Sequence, residues 1–111
     1  MKSKSFKPVV AVLATLDTKG TEVAFLKKCL EDAGVRALVI DGGIMGKATI
    51  PADIPASTLA AKGSSSLKAL RSLGHEGKAM AIMIQGAVRI VQALCRQGEI
   101  QGLISLGGSM G

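Results

Sequence analysis

The sequence predicts an α/β fold: a three-layer, Rossmann-like half-domain with a parallel sheet of about three strands, in the order 2-1-3, and helices on both faces. Short apolar runs rich in Val, Ile and Leu are typical of strands buried in a parallel sheet. Three such runs occur, at 9–13, 35–40 and 103–106. Segments with helical spacing separate them, so strand and helix alternate along the chain. From this alternation with short turns we predict the order 2-1-3, with right-handed crossovers between the strands.

The first crossover is a single helix. Thr18 or Thr21 can cap its N-terminus, and the apolar spacing continues to about Ala33. Gly34 follows in the position that commonly ends a helix. We therefore expect one helix between the first two strands, directly after the segment Asp17-Thr18-Lys19.

The second crossover is longer and begins with a turn, Asp41-Gly42-Gly43. Residues 44–55 are loop-like, and Asp53 can cap or anchor this loop. Ser65 and Ser66 can cap a helix that Gly74 closes, and His75 is expected to be exposed or to cap the next helix. Three helices are predicted in this crossover, at 55–61, 67–73 and 76–97.

The last of these helices carries two apolar stripes. The first has the i, i+3, i+4, i+7 spacing of a buried face and is expected to cover the sheet; it comprises Ala79, Ile82, Met83, Gly86, Ala87, Ile90, Val91 and Leu94. Met80, Ile84 and Val88 form the second stripe. One sheet cannot cover both, so the second stripe is expected at an intermolecular or interdomain contact.

Composition indicates one globular domain over 1–111, since 48% of the residues are hydrophobic and 20% are charged. The net charge of +6 suits a protein that binds phosphate. Nucleic acid is disfavoured because aromatic residues, the usual platforms for bases, make up only 2%. No apolar run approaches the ~20 residues that span a bilayer. With Cys29 and Cys95 expected to be small buried thiols, the prediction is a cytoplasmic protein without a membrane partner.

Candidate binding residues follow the first strand, where Asp17, Thr18 and Lys19 place a carboxylate, a hydroxyl and an ammonium at a helix N-terminus. Lysine and the free N–H groups there suit phosphate, while Asp17 could hold a metal or accept from a nucleotide hydroxyl. The segment matches neither the P-loop nor the dinucleotide fingerprint. The alternative is a plain capping turn, with Lys19 in solvent.

A glycine-rich segment follows the third strand. Gly107 and Gly108 would let the backbone approach an anion, and Ser109 could donate to it; a tight strand-to-helix turn is the alternative. Asp41, at the end of the second strand, is placed to take ribose hydroxyls or, alternatively, to hold its own turn as an Asx turn. We expect the first and third strands to be neighbours, which brings Asp17-Thr18-Lys19 beside the glycines.

Taken together, Asp-Thr-Lys-Gly at 17–20, the turn at 41–43, Pro51-Ala52-Asp53-Ile54, Gly86-Ala87 and Gly107-Gly108-Ser109 carry a resemblance. The chain resembles the nucleotide-binding N-terminal domain of the tomato mosaic virus resistance protein and its bacterial and fungal relatives. Met110 departs from the glycine that the family commonly has there. The resemblance implies ATP as the ligand, a homodimer, and a chain that is the first half of the ATP-binding domain of a longer protein.

The predicted function is therefore a nucleotide-binding module, with ATP, with or without Mg²⁺, as its ligand. By matched position, the resemblance assigns the nucleotide to Asp17, Thr18, Lys19, Asp41 and the 107–109 segment. Two alternatives stay open: a subdomain of an enzyme that transfers or hydrolyses phosphate, and a protein–protein interaction module whose apolar stripe is the functional surface. The residues do not identify a biological role.

Overall fold

A computed structural model describes residues 7–107. It contains a parallel three-stranded sheet in the order β2-β1-β3, as predicted. The helices and strands run in the order β1 (Val9–Ala14), α1 (Leu16–Asp32), β2 (Arg36–Asp41), α2 (Ala56–Lys62), α3 (Leu67–Ser72), α4 (Glu76–Arg96) and β3 (Gly102–Leu106).

Alternate residues of the central strand face opposite sides of the sheet, as strand geometry requires. Val12 belongs to a buried cluster with Leu16 and Val23 of α1. Ala11 belongs to the other buried cluster, with Leu59 of α2 and residues of α4. Both faces of β1 are therefore covered by helices, and the prediction of an α/β fold with helices on both faces is confirmed.

Helix α1 begins earlier than predicted. It starts at Leu16, and Thr15 is its N-cap without a side-chain capping bond, so neither predicted threonine caps it. Leu16 is fully buried, and its N–H donates to Asp41 Oδ1 over 3.1 Å. Lys19 departs from helical geometry, with φ −116° and ψ 16°. Asp17, Thr18 and Lys19 thus form an irregular first turn rather than a loop that precedes the helix.

Helix α4 packs closely against α2. Gly86 lies against the Leu59 carbonyl, where a Cβ would have no room, and Leu59 is 1% exposed. The predicted first stripe is buried at Ala79, Met83, Gly86, Ala87 and Ile90. Its cluster includes Ala11 and Ile40 of the sheet together with α2 residues. The stripe therefore packs against the sheet, as predicted, and also against α2, which the spacing did not predict.

Two side chains fix the loop between β2 and α2. Asp53 Oδ2 accepts from the Val39 N–H over 2.7 Å, so the predicted anchoring is confirmed. Thr49 Oγ1 donates to the Leu16 carbonyl over 2.8 Å and binds the loop to the start of α1. The loop is therefore tied to β2 and to the start of α1.

The expectation that both cysteines are buried was wrong. Cys29 and Cys95 are free thiols but are exposed, not buried, because each lies off the buried stripe of its helix.

Helix α4 is long and apolar enough to span a membrane by length and composition alone. A core helix can pass the same test, and α4 contributes five residues to the buried interior.

Candidate functional site

A cavity of about 650 Å³ opens at the carboxyl edge of the sheet. The first turn of α1, the turn after β2 and the end of β3 form one side of it. The corner between α3 and α4 forms the other. The residues that line it are Thr15, Asp17, Thr18, Lys19, Gly42, Gly43, Ile44, Met45, Leu70, Arg71, Gly74, His75, Glu76, Ala79, Met80, Leu106 and Gly107.

Asp17 has one bonded and one unbonded carboxylate oxygen. Oδ2 accepts from the Gly46 N–H over 3.1 Å. Oδ1 is buried and has no hydrogen-bond partner among residues 7–107. Burying an oxygen without a hydrogen bond costs free energy, so this atom is the best candidate in the cavity to bind a cation or a hydrogen-bond donor.

Thr18 and Lys19 occupy the same turn. The hydroxyls of Thr15 and Thr18 are 2.8 Å apart and share a hydrogen bond. Thr18 is exposed and Lys19 is half-buried, and both line the cavity. The backbone dihedral angles of Lys19 are not helical, so this turn differs from a regular first turn of a helix. A hydroxyl and an ammonium are therefore available to an anion at this end of the cavity.

Asp41 makes the Asx turn that was one of its two predicted roles. Its Oδ1 accepts from the Gly43 N–H over 2.8 Å and from the Leu16 N–H over 3.1 Å. The residue is 6% exposed and is not among those that line the cavity. This carboxylate holds two segments of the cavity wall together, and contact with a ribose stays a prediction.

The segments that follow β1 and β3 lie side by side, as the strand order requires. Because β3 pairs with β1, Gly107 lines the same cavity as Asp17, Thr18 and Lys19. Gly108 and Ser109 lie outside the described residues. The predicted neighbourhood of the first and third strand ends is therefore confirmed as far as Gly107.

The α3–α4 side of the cavity went unrecognised in the sequence. Arg71 Nε donates to the Ile44 carbonyl over 2.6 Å, which holds the guanidinium group at the cavity. His75 caps α4, because its Nδ1 accepts from the Lys78 N–H over 3.0 Å; its ring hydrogen is consequently on Nε2. The sequence predicted a capping role for His75 but gave no sign that this corner lines the cavity. Contact between the corner and the strand ends arises from tertiary packing.

Charges of both signs line the cavity. Lys19 and Arg71 are cationic, whereas Asp17 and Glu76 are anionic. No group of three or more His, Cys, Asp or Glu residues that could hold a metal occurs in the described part of the chain. Lys19 and Arg71 can each contact an anion, and Asp17 can contact a cation, but a metal at Asp17 would need ligands from the bound molecule or water.

Comparisons with known proteins identify the family. The family model described as "Uncharacterised protein family (UPF0261) N-terminal domain" matches residues 8–111. A UPF0261 protein of Clostridium tetani is 40% identical over 102 residues, which are 92% of this chain and 25% of that protein. A UPF0261 protein of Brucella suis is 32% identical over 111 residues, 100% of this chain and 27% of the relative.

A third relative, from Rhizobium meliloti, is 33% identical over 102 residues, 92% of this chain and 25% of its own length. No solved structure matches the chain at a significant level. The chain spans about a quarter of the length of these relatives. On the family match and these identities, the chain belongs to the UPF0261 family and corresponds to its N-terminal domain.

Proposed function

We propose that this chain is a nucleotide-binding module and that ATP, with or without Mg²⁺, is its ligand. The observation that carries the proposal is the cavity at the carboxyl edge of the sheet, where Asp17, Thr18 and Lys19 meet Gly107. Ligands of open α/β sheets bind at this edge, in the crevice beyond the strand ends. A volume of about 650 Å³ is also within the range of small-molecule sites.

The phosphates would lie on the α1 side. Lys19 supplies a point charge and Thr18 a hydroxyl donor. Gly107 has no side chain to hinder approach of an anion, and Gly108 and Ser109 would continue this contact.

The base would lie on the opposite, apolar side. Ile44, Leu70 and Ala79 are buried there, while Met45 and Met80 border the opening. Flat aliphatic contact of this kind accommodates a purine, and a guanidinium such as that of Arg71 can stack on one. The cavity thus offers Lys19 and Thr18 to the phosphates of a nucleotide and buried aliphatic side chains to its base.

The residues also fit one Mg²⁺ ion, at Asp17. Its buried Oδ1 has no hydrogen-bond partner in the part of the chain that the structure describes, whereas Asp41 Oδ1 accepts two hydrogen bonds. Magnesium is often held by one or two carboxylates together with phosphate oxygens and water. Bound there, the ion would offset the negative charge of the phosphates.

Choice of ATP among nucleotides rests on the resemblance to the N-terminal domain of the tomato mosaic virus resistance protein. The same resemblance favours a homodimer and a role as part of a longer polypeptide. A cytoplasmic location and the absence of membrane and nucleic-acid partners accompany this proposal as expectations. Each can be tested independently of the cavity.

Isothermal titration of the chain with ATP and with adenosine tests the proposal. Loss of one charge-assisted contact in Lys19→Ala is expected to weaken ATP about ten- to a hundredfold. Adenosine, which lacks phosphates, should bind the variant and the parent equally. Lys28→Ala is the matched control, because Lys28 is on the same helix but pairs with exposed Asp32.

The proposal fails if ATP binds neither this chain nor the full-length Clostridium tetani relative at millimolar concentration. It also fails if Lys19→Ala weakens ATP and adenosine to the same degree, since Lys19 would then not contact phosphate. A parallel titration of the full-length Clostridium tetani relative gives the same readout in a longer family member.

A further inference from the structure

An apolar groove runs between α4 and β3 on the side of the sheet that α2 and α4 cover. We call it the α4–β3 groove and define it by Met80, Ile84 and Val88 of α4 and by Leu103 and Ser105 of β3. Ile84 is 54% exposed, and Val88 and Leu103 are each 48% exposed.

The two walls of the groove face each other. A cavity of about 150 Å³ separates them and is lined by residues of both, among them Met80, Ile84 and Ser105. Leu103 is two residues from Ser105 and therefore lies on the same face of β3. It pairs in register with Ala11, whose side chain belongs to the cluster on the α2–α4 side. Exposed apolar side chains on both walls indicate a surface that another segment covers.

Strand β3 is also an open edge. It pairs with β1 on one side, and no strand within residues 7–107 pairs with its other side. Unpaired strand edges are usually covered or extended by further structure. The groove and the open edge adjoin each other, so one following unit of helix and strand would satisfy both.

Crossover handedness specifies where that helix would lie. The connection from β2 to β3 passes over β1, and its helices α2 and α4 cover one face. A right-handed connection that continues outward from β3 in the same direction must place its helix on this same face. The next helix would therefore lie beside α4 and above β3, which is the position of the α4–β3 groove.

Relatives have the chain length for such a unit, because the segment matched here is 25% to 27% of their length. We propose that the helix that follows β3 in longer UPF0261 proteins packs into the α4–β3 groove. Its occupant is thus a crossover helix with an apolar face, from the polypeptide downstream of the matched segment. This inference is independent of nucleotide binding.

Thiol labelling compares the groove in the short and long proteins. Val88→Cys and Ile84→Cys are made singly in this chain after its exposed Cys29 and Cys95 have been changed to serine. Cysteines are placed at the aligned positions of a full-length Clostridium tetani relative whose native cysteines have likewise been replaced. In this chain the introduced thiols should react quickly with a maleimide. In the relative their labelling rates should be lower by about tenfold or more. Phe25→Cys is the matched control, because Phe25 is 71% exposed on α1 and should label readily in both proteins.

A photo-crosslinking maleimide on the groove cysteine of the relative then identifies the occupant by mass spectrometry. We expect crosslinks to peptides downstream of the matched segment, in the same molecule, and protection that persists on dilution. Equal labelling rates in the two proteins would overturn the inference. So would protection that disappears on dilution, or crosslinks to the matched segment of another copy, because a second copy would then fill the groove.

Discussion

Gly43 lies so close to Asp17 that a Cβ at Gly43 would be 2.7 Å from Asp17 Oδ1. The same Cβ would be 3.1 Å from Asp41 Oδ1. A residue without a side chain therefore separates the two carboxylates at the carboxyl edge of the sheet. This spacing lets Asp17 reach into the cavity while Asp41 holds the turn beneath it.

Gly43→Ala is expected to displace the Asp17 carboxylate and to weaken ATP binding. Overpacking of this kind usually costs about 1–3 kcal/mol of stability, so urea denaturation should accompany the titration. Gly102→Ala is the control, because its Cβ would make an ordinary 3.4 Å contact with Val10. Unchanged ATP affinity in a folded Gly43→Ala variant would show that the position of Asp17 does not matter to the ligand.

Asp17→Asn tests the magnesium site. The amide keeps one oxygen but loses the charge that attracts the cation, so the difference in ATP affinity with and without Mg²⁺ should disappear. Titration of ATP with Mg²⁺ or with EDTA measures that difference. Asp32→Asn, on the exposed face of α1, should leave it intact. If Asp17→Asn retains the full Mg²⁺ dependence, Asp17 does not hold the metal.

Asp41→Ala should destabilise the domain, because it leaves the N–H groups of Leu16 and Gly43 without their acceptor. Two unsatisfied buried donors are expected to cost about 2–4 kcal/mol, measured by urea denaturation. Asp41→Asn keeps an acceptor oxygen and should lose only about 1 kcal/mol. Equal losses in the two variants would contradict an acceptor role. A fall in adenosine affinity in folded Asp41→Asn would instead support the predicted ribose contact.

The fold was predictable because its signals are local. Strands with buried residues on both faces appear as apolar runs, and the caps at Ser66 and His75 are set by the adjacent sequence. The start of α1 was not predictable in this way. Its first N–H groups include that of Leu16, which is bonded to Asp41, a residue 25 positions away. A cap supplied by tertiary structure leaves no pattern in the local sequence.

The candidate site was predictable only on one side. Strand–helix alternation predicted that the first and third strands are neighbours, so Lys19 and Gly107 could be assigned to one edge from the sequence. Arg71 and Met45 reach the same cavity through the packing of the loop and of α3, which no spacing encodes. Cys95 is exposed because it lies off the buried stripe of α4, although its neighbour Leu94 still packs against the core.

Gly86→Ala should separate α2 from α4. The backbone of α4 approaches the Leu59 carbonyl at this position, and the atom that blocks a Cβ there belongs to the backbone and cannot rotate away. Although alanine favours a helix by about 1 kcal/mol over glycine, the clash should dominate and leave a net loss of about 2–3 kcal/mol in urea denaturation. The wall of the cavity formed by α3 and α4 would move with α4, so ATP affinity should fall as well. Gly77→Ala is the control on the same helix, because a Cβ there meets a side chain, the His75 ring at 3.2 Å, rather than backbone, and should cost much less stability. If Gly86→Ala were as stable as Gly77→Ala, the close packing of α2 against α4 would not be present in solution.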